Sequence, residues 1–271
     1  MKEKLEMLKL YNGVTSVCSV KVRIGLAEIG LDYEDQRLDI QKGDQFDPDY
    51  MKLNPAAVVP TLIDDGLVLV ESSLILEYLD QTYNQNRLMP VDRAKAVAAR
   101  HWLLRCLAIH AAVNTLTHST VNRKRHLASK TPQEIEAMIA RKPDPVSQMK
   151  RKDLYANGLK SPYVSQALMH LRSAFADMGK VLSEGDWVTG PEFGIADIAL
   201  ISYIDRLERL GFRGLWLDTE PRVADWLASM QSRQSYQVEV QSKIPAQMAE
   251  AQLRDGSEFW SELEDRWRAS A

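Results

Sequence analysis

At 271 residues, 45% hydrophobic and 26% charged, the chain has the length of two domains and the composition of an ordinary globular protein. A formal net charge of −3 gives no basic surface for nucleic acid or an anionic membrane, and no apolar run approaches the ~18 residues of a membrane span. Two cysteines, Cys18 and Cys106, make neither a disulfide framework nor a zinc site, and "MKEKLEMLKLY" lacks the apolar core of a signal peptide, so the expectation is a cytoplasmic protein without a metal.

In chain order, residues 7–11 read as a short apolar strand. A helix follows over 17–29 with Val20, Ile24 and Ala27 on one face; Ser16 stands at its start and Gly30 stops it. A second strand is expected over 33–40, then an irregular helix within "QKGDQFDPDYMKLNP". The clearest local signal is "VVPTLIDDGLVLVESS": strands over 61–63 and 67–70 joined by Asp65-Gly66, a pair suited to the positive φ of a tight hairpin. Glu71-Ser72-Ser73 then offers an N-cap to an amphipathic helix over 74–83. The order βαβ, hairpin, helix predicts a small mixed sheet with helices.

"NQNRLMPVDR" is polar, contains proline and reads as a linker, and after it the strand signals nearly vanish. Helices are expected over 94–116, 163–182, 195–210 and 222–232, with a more polar stretch over 119–162 and a helical tail beyond Gln234. This divides the chain into an α/β domain over 1–85, a linker over 86–93 and an all-helical domain over 94–271.

The ordered segment "NPAAVVPTLIDDGLVLVESSLILEYL", together with this two-domain order, resembles the cytosolic glutathione transferases across nearly the whole chain. The resemblance implies a thioredoxin-like first domain that binds glutathione as co-substrate and a helical second domain that supplies the acceptor pocket. It implies that Pro60 is a cis-proline, that the backbone of Val59 pairs with the cysteinyl part of glutathione, and that Glu71 and Ser72 hold its γ-glutamyl end. Relatives often carry Gln or Lys two residues before the proline, where this chain has Val58; Lys42 or Lys52 is left to bind the glycine carboxylate. "FGIADIAL" resembles the capping segment of a buried helix in the second domain, with Gly194 at the cap and Asp197 in a structural role. A homodimer follows from the resemblance alone.

The front of the chain, "YNGVTSVCSVKVR", is where the chemistry is expected. A free thiol has a pKa near ~8.5, so glutathione needs a group that lowers it; a hydroxyl donor at a helix start supplies both a hydrogen bond and partial positive charge. Ser16 stands there, and "SVCS" is similar to the S-x-C motif of the zeta class and of the halohydroquinone reductive dehalogenases. Cys18 has several readings: a second-step nucleophile that takes glutathione as a mixed disulfide, a dispensable bystander, or a buried inert thiol. Ser19 is the alternative activating hydroxyl, because the bacterial β-etherases place an Asn-Ser pair over Cys18-Ser19. The 119–162 stretch also resembles the insertion of those etherases.

The function implied is transfer of glutathione to a small hydrophobic, aromatic electrophile, by β-aryl ether cleavage or reductive dehalogenation. A zeta-like cis–trans isomerase and a non-catalytic interaction module of the same fold are the alternatives. Trp102, His110 and Asn114 are expected to line the acceptor pocket, His110 and His118 to share a helix face, "RKRH" over 123–126 to be a solvated face, with an anion site or a cover over the pocket as its alternative, and Trp260 and Trp267 to hold the tail down.

Overall fold

The computed structural model describes residues 7–269. Its first part runs β1 (Leu8–Asn12), α1 (Val17–Ile29), β2 (Tyr33–Arg37), a 3-10 turn (Asp44–Phe46), α2 (Pro48–Leu53), β3 (Thr61–Asp64), β4 (Leu67–Leu69) and α3 (Ser72–Tyr83). The strands form one sheet in the order β2-β1-β3-β4, with β1 parallel to β2 and the other pairs antiparallel. Leu8 and Leu10 of β1 and Leu62 of β3 meet Val22 and Leu26 of α1 and Ile75 and Leu79 of α3 in one apolar cluster. β2 stops at Arg37 rather than at 40 because its partner runs out: Arg37 is in register with Asn12, the last residue of β1.

Both ends of α1 are set locally. Ser16 Oγ accepts the Ser19 N–H at 3.3 Å, and Gly30, at φ 79°, closes the helix in the left-handed region that only glycine enters without penalty. At α3 the expected serine cap gives way. Glu71 occupies the cap position at φ 70° with no side-chain hydrogen bond, and Ser72 is the first helical residue.

The remainder is helical: α4 (Arg93–Ser119), α5 (Val121–Ser129), α6 (Pro132–Ala140), α7 (Pro145–Asn157), α8 (Pro162–Leu182), α9 (Ile195–Arg209), α10 (Pro221–Ser232), α11 (Gln234–Tyr236) running into a π turn (Gln237–Gln241), α12 (Ala246–Ser257) and α13 (Trp260–Ala269). The fold class is therefore the one implied by the sequence, an α/β thioredoxin-like part followed by an all-helical part. No described helix is long and apolar enough to cross a membrane.

α1 is buried on two sides. Val22 and Leu26 face the sheet cluster, while Val17, Val20 and Ile24 join the large helical core with α4, α8 and α9. Its Arg23 is fully buried and ties the loop before α1 to the tail: Nη1 donates to Asn12 Oδ1 (2.9 Å), Nη2 to the Val14 and Glu239 carbonyls (both 3.0 Å), and Nε lies 3.3 Å from Glu239 Oε2. Arg206 of α9, also buried, donates to the Thr15 carbonyl in the same loop. The loop that carries Ser16 is thus held from both sides. In the tail Trp260 packs on Phe212 and Trp267 on Phe175, so both aromatics anchor it.

Candidate active site

Ser16 is half-buried at the N-cap of α1. Its oxygen accepts the cap bond, which leaves its own O–H to donate elsewhere. Ser19 is different: it is fully buried, and its Oγ accepts the Gly13 N–H at 3.2 Å. Cys18 sits in the first turn of α1, half-buried, with its sulfur 3.4 Å from His110 Nδ1 and 3.8 Å from the Tyr203 hydroxyl. His110 comes from α4 and Tyr203 from α9, so three helices meet at this one sulfur.

Burial alone would push the Cys18 thiol up. The His110 ring overrides this by charge and by hydrogen bond, and with the Lys21 ammonium and the Ser72 hydroxyl it holds the thiol at about 6. Tyr203 goes the other way. Burial and then the neighbouring Cys18 push its phenol well above the usual range, so it faces the sulfur as a donor. Lys21 is fully buried with no carboxylate ion pair among the described residues; its Nζ donates to Ser73 Oγ at 3.0 Å and lies 5.0 Å from the Tyr203 ring centre. A buried ammonium is costly without an anion, and a Cys18 thiolate one turn away supplies it. Cys106, by contrast, is buried, and burial holds its thiol protonated, its sulfur 3.7 Å from the Ala199 carbonyl.

This arrangement makes a nucleophilic thiolate at neutral pH. Alkylation of Cys18 by iodoacetamide, followed by peptide mass, is expected to rise with pH through a midpoint near 6. Because the thiolate is the reacting form, the rate is flat above that midpoint and falls below it. His110→Ala removes the leading counter-effect to burial, so its midpoint moves up toward or past ~8.5; an unmoved midpoint would assign the activation elsewhere.

The residues expected to hold glutathione fall as follows. The Val59–Pro60 peptide is cis. Val59 is half-buried, and its backbone N–H and C=O have no protein partner among the described residues; the preceding carbonyl, of Val58, is already held by Tyr50 Oη and Asn54 Nδ2. Glu71 is exposed, and Ser72 is buried in the first turn of α3 close to Cys18. Lys42 and Lys52 are both exposed and engaged in surface ion pairs, with Asp39 at 3.3 Å and Asp49 at 2.7 Å.

Beyond His110, the helical part departs from expectation in two places. Trp102 is buried in the core beneath the Arg105 guanidinium (4.5 Å) instead of lining a pocket. "RKRH" is not one solvated face. Arg123 donates to the Tyr155 carbonyl, Lys124 pairs with Glu258, Arg125 reaches Gln41 Oε1 at 2.7 Å, and His126 Nδ1 lies 2.6 Å from the Tyr155 hydroxyl. Arg141 donates to the Gly43 carbonyl at 3.1 Å and covers the Phe46 ring (4.5 Å). Arg125 of α5 and Arg141 at the end of α6 therefore grip the loop after β2. Tyr203 and Lys21 were not singled out by the sequence. The available signal was a lysine three residues after Cys18, set between Val20 and Val22.

Comparison with known proteins agrees with this architecture. A model of the glutathione S-transferase N-terminal domain matches residues 6–81, and one of the C-terminal domain matches 151–229. A zeta-class glutathione S-transferase of Euphorbia esula is 31% identical over 195 residues, 71% of this chain and 72% of the relative. The tetrachloro-p-hydroquinone reductive dehalogenase of Sphingobium chlorophenolicum is 27% identical over 236 residues, 85% of this chain and 94% of the dehalogenase. Among solved structures, the β-etherase LigF of Sphingobium sp. strain SYK-6 superposes with a TM-score of 0.76 at 26% identity, covering 87% of this chain and 99% of LigF. With this match in sequence and in fold, the chain belongs to the glutathione S-transferase family.

Proposed function

We propose that the protein transfers glutathione, the family's co-substrate, to a small hydrophobic, aromatic electrophile, and that it does so with two sulfurs: that of glutathione and that of Cys18. The observation that carries this reading is the Cys18 sulfur, half-buried at the start of α1 and 3.4 Å from His110. In this reading the 1–85 domain holds glutathione. Val59 offers its unpaired backbone to the cysteinyl unit, Pro60 shapes that turn, and Glu71 and Ser72 at the start of α3 take the γ-glutamyl end. Lys42 or Lys52 takes the glycine carboxylate; either leaves only an exposed ion pair, which contributes about 0.2–1 kcal/mol. The free O–H of Ser16 donates to the glutathione sulfur and stabilises its thiolate. Ser19 is assigned no part in this, because it is fully buried whereas Ser16 is half-exposed at the cap.

The chemistry then balances as reductive dehalogenation. The glutathione thiolate forms a carbon–sulfur bond to the ring and halide leaves. The Cys18 thiolate attacks the sulfur of that conjugate; the carbon–sulfur bond breaks, the ring carbon takes a proton, and a Cys18–glutathione disulfide forms. A second glutathione thiolate attacks this disulfide and releases glutathione disulfide with the Cys18 thiolate restored. The ring is reduced by two electrons and two glutathione thiols are oxidised. Likeness to the dehalogenase over 94% of its length supports this course. Likeness to LigF supports the ether reading, which needs only the first displacement, with aryloxide leaving in place of halide.

We also infer a homodimer. Val97 and Leu104 lie exposed along one face of α4, beside the Arg100–Glu77 pair and exposed Leu74 of α3, a surface suited to a second copy.

The reading is tested by retention on immobilised glutathione, then by glutathione-dependent turnover of a chlorinated hydroquinone, a β-aryl ether and a maleyl-type isomerisation substrate. Retention with turnover of either of the first two is expected. Turnover of the isomerisation substrate alone would make Cys18 dispensable, and no retention with no turnover would leave an interaction module.

A further inference from the structure

The face of α4 that places His110 against Cys18 continues through Asn114 to His118, one and two turns further on. Arg151 of α7 closes over that stripe. Its Nη1 donates to His118 Nδ1 at 2.6 Å, and its Nη2 donates to Asn114 Oδ1 at 3.4 Å. The first of these bonds requires an unprotonated ring nitrogen, so His118 is neutral and balances no charge. Burial, followed by the charge of Arg151, holds His118 well below its usual range, in keeping with that assignment.

Among the described residues no carboxylate makes an ion pair with Arg151. The Tyr155 phenol faces it, and the other charged groups around it are cationic. After burial, Arg151 is the leading charge that lowers both Lys142 and Lys150, and burial, followed by Arg125, Lys130 and Arg151, brings His126 down to about 4. The carboxylates of α7 are spent elsewhere: Asp144 accepts the Val146 and Ser147 N–H groups at the start of the helix, and Asp153 accepts from Ser161 and Asn157. A guanidinium largely withdrawn from water among like charges, with its Nη groups held only by neutral acceptors, gains further stabilisation when an anion meets its remaining N–H donors.

The distance gives that anion a place. Asn114 is four and His118 eight residues beyond His110, so the guanidinium that bonds both lies between about 6 and 12 Å further along the helix axis than the His110 level, a span that a substituted benzene ring with a carboxylate can bridge. We propose that Arg151, oriented by Asn114 and His118, is the anion subsite of the acceptor pocket, and that the acceptor is an aromatic electrophile carrying a carboxylate on the side of the ring away from the reacting carbon. This deepens the glutathione-transfer reading and rests on it for the identity of the reacting end. The 119–162 segment then has a purpose in the cleft: it brings in the charge that selects the acceptor.

The test compares 4-chloro-3-nitrobenzoate with its carboxamide as glutathione acceptors, in the wild-type protein and in Arg151→Gln. Loss of a charged hydrogen-bonded contact corresponds to roughly ten- to a hundredfold. The wild type is expected to prefer the benzoate in kcat/KM by about that factor, mainly through KM, and Arg151→Gln to bring the ratio near one, with Arg151→Lys recovering part of it. Equal rates on the two acceptors in the wild type would overturn the proposal. So would a rise in the glutathione KM of Arg151→Gln matching the rise for benzoate, since the anion would then be the glycine carboxylate of glutathione. Binding of benzoate and of benzamide to the wild type by calorimetry decides the point without turnover and without a variant. A benzoate preference there supports the subsite even if neither acceptor is conjugated, an outcome that would sink the glutathione reading separately, and no preference overturns the subsite whatever the kinetics.

Discussion

Cys18→Ser is expected to lower glutathione-dependent reductive turnover by at least about a hundredfold, with the glutathionyl conjugate accumulating in place of the reduced ring. The substitution changes one atom in the first turn of α1, and Ser16, Ser19 and Gly30 still fix both ends of the helix and its buried face, so the fold is retained. What disappears is the thiolate. A serine hydroxyl beside His110 at 3.4 Å stays protonated at neutral pH and does not attack a sulfur. Ser16→Ala is expected to fail one step earlier. Its cap bond to Ser19 goes, which lowers stability by about 1 kcal/mol, and the glutathione thiol loses its donor, so neither conjugate nor reduced product forms at the wild-type rate. Product analysis by chromatography separates the two variants: conjugate in the first, unreacted acceptor in the second. Normal reduced product from Cys18→Ser would remove the cysteine from the chemistry.

Asp197→Ala is expected to lower stability by about 3–5 kcal/mol, read as a fall in the denaturant midpoint at an unchanged slope. Asp197 is fully buried at the start of α9 and holds three donors: the Val188 N–H at 3.0 Å, the Gly194 N–H at 3.0 Å and the Trp226 indole N–H at 2.8 Å. Burial pushes its carboxyl up to about 6, against those donors, so it is ionised at neutral pH. Alanine leaves all three N–H groups buried without partners. The Asp197→Asn variant keeps one oxygen for Val188 and Trp226 but turns an NH₂ toward the Gly194 N–H, and an intermediate loss is expected. The consequence reaches the site, because α9 carries Tyr203 to the Cys18 sulfur and Arg206 to the Thr15 carbonyl. Thiolate reactivity at Cys18 should therefore fall along with the midpoint.

What the sequence disclosed follows from the range of the forces involved. The Ser16 cap, the Gly30 stop and the Asp65-Gly66 turn depend on a few neighbouring residues, and each stands where the pattern placed it. The end of β2 did not, because it depends on where a different strand stops. The site divides along the same line. Ser16 and Cys18 stand two residues apart in "TSVCS", whereas His110 is 92 residues from Cys18 and Tyr203 is 185 away. Helical periodicity shows which residues share a face and not which helix that face meets, so His110 could be set near the acceptor pocket but not paired with a sulfur. Lys21 illustrates the converse: a charge on a helix reads as solvent-facing, and only the packing of α1 between the sheet and α9 buries it. The basic run over 123–126 reads as a single patch, yet a helix turns 100° per residue and sends its four side chains to three separate residues, Tyr155, Glu258 and Gln41.

The central claim, that the Cys18 thiolate takes up glutathione during turnover, is tested most directly by a single-turnover reaction. The protein is mixed with one equivalent of the glutathionyl ring conjugate, with no further glutathione, then acid-quenched and weighed intact. The account predicts reduced ring and one glutathionyl group per chain, mapped to Cys18 and released when glutathione is added. Reduced ring formed with an unmodified protein, or the adduct mapped to Cys106, would contradict it.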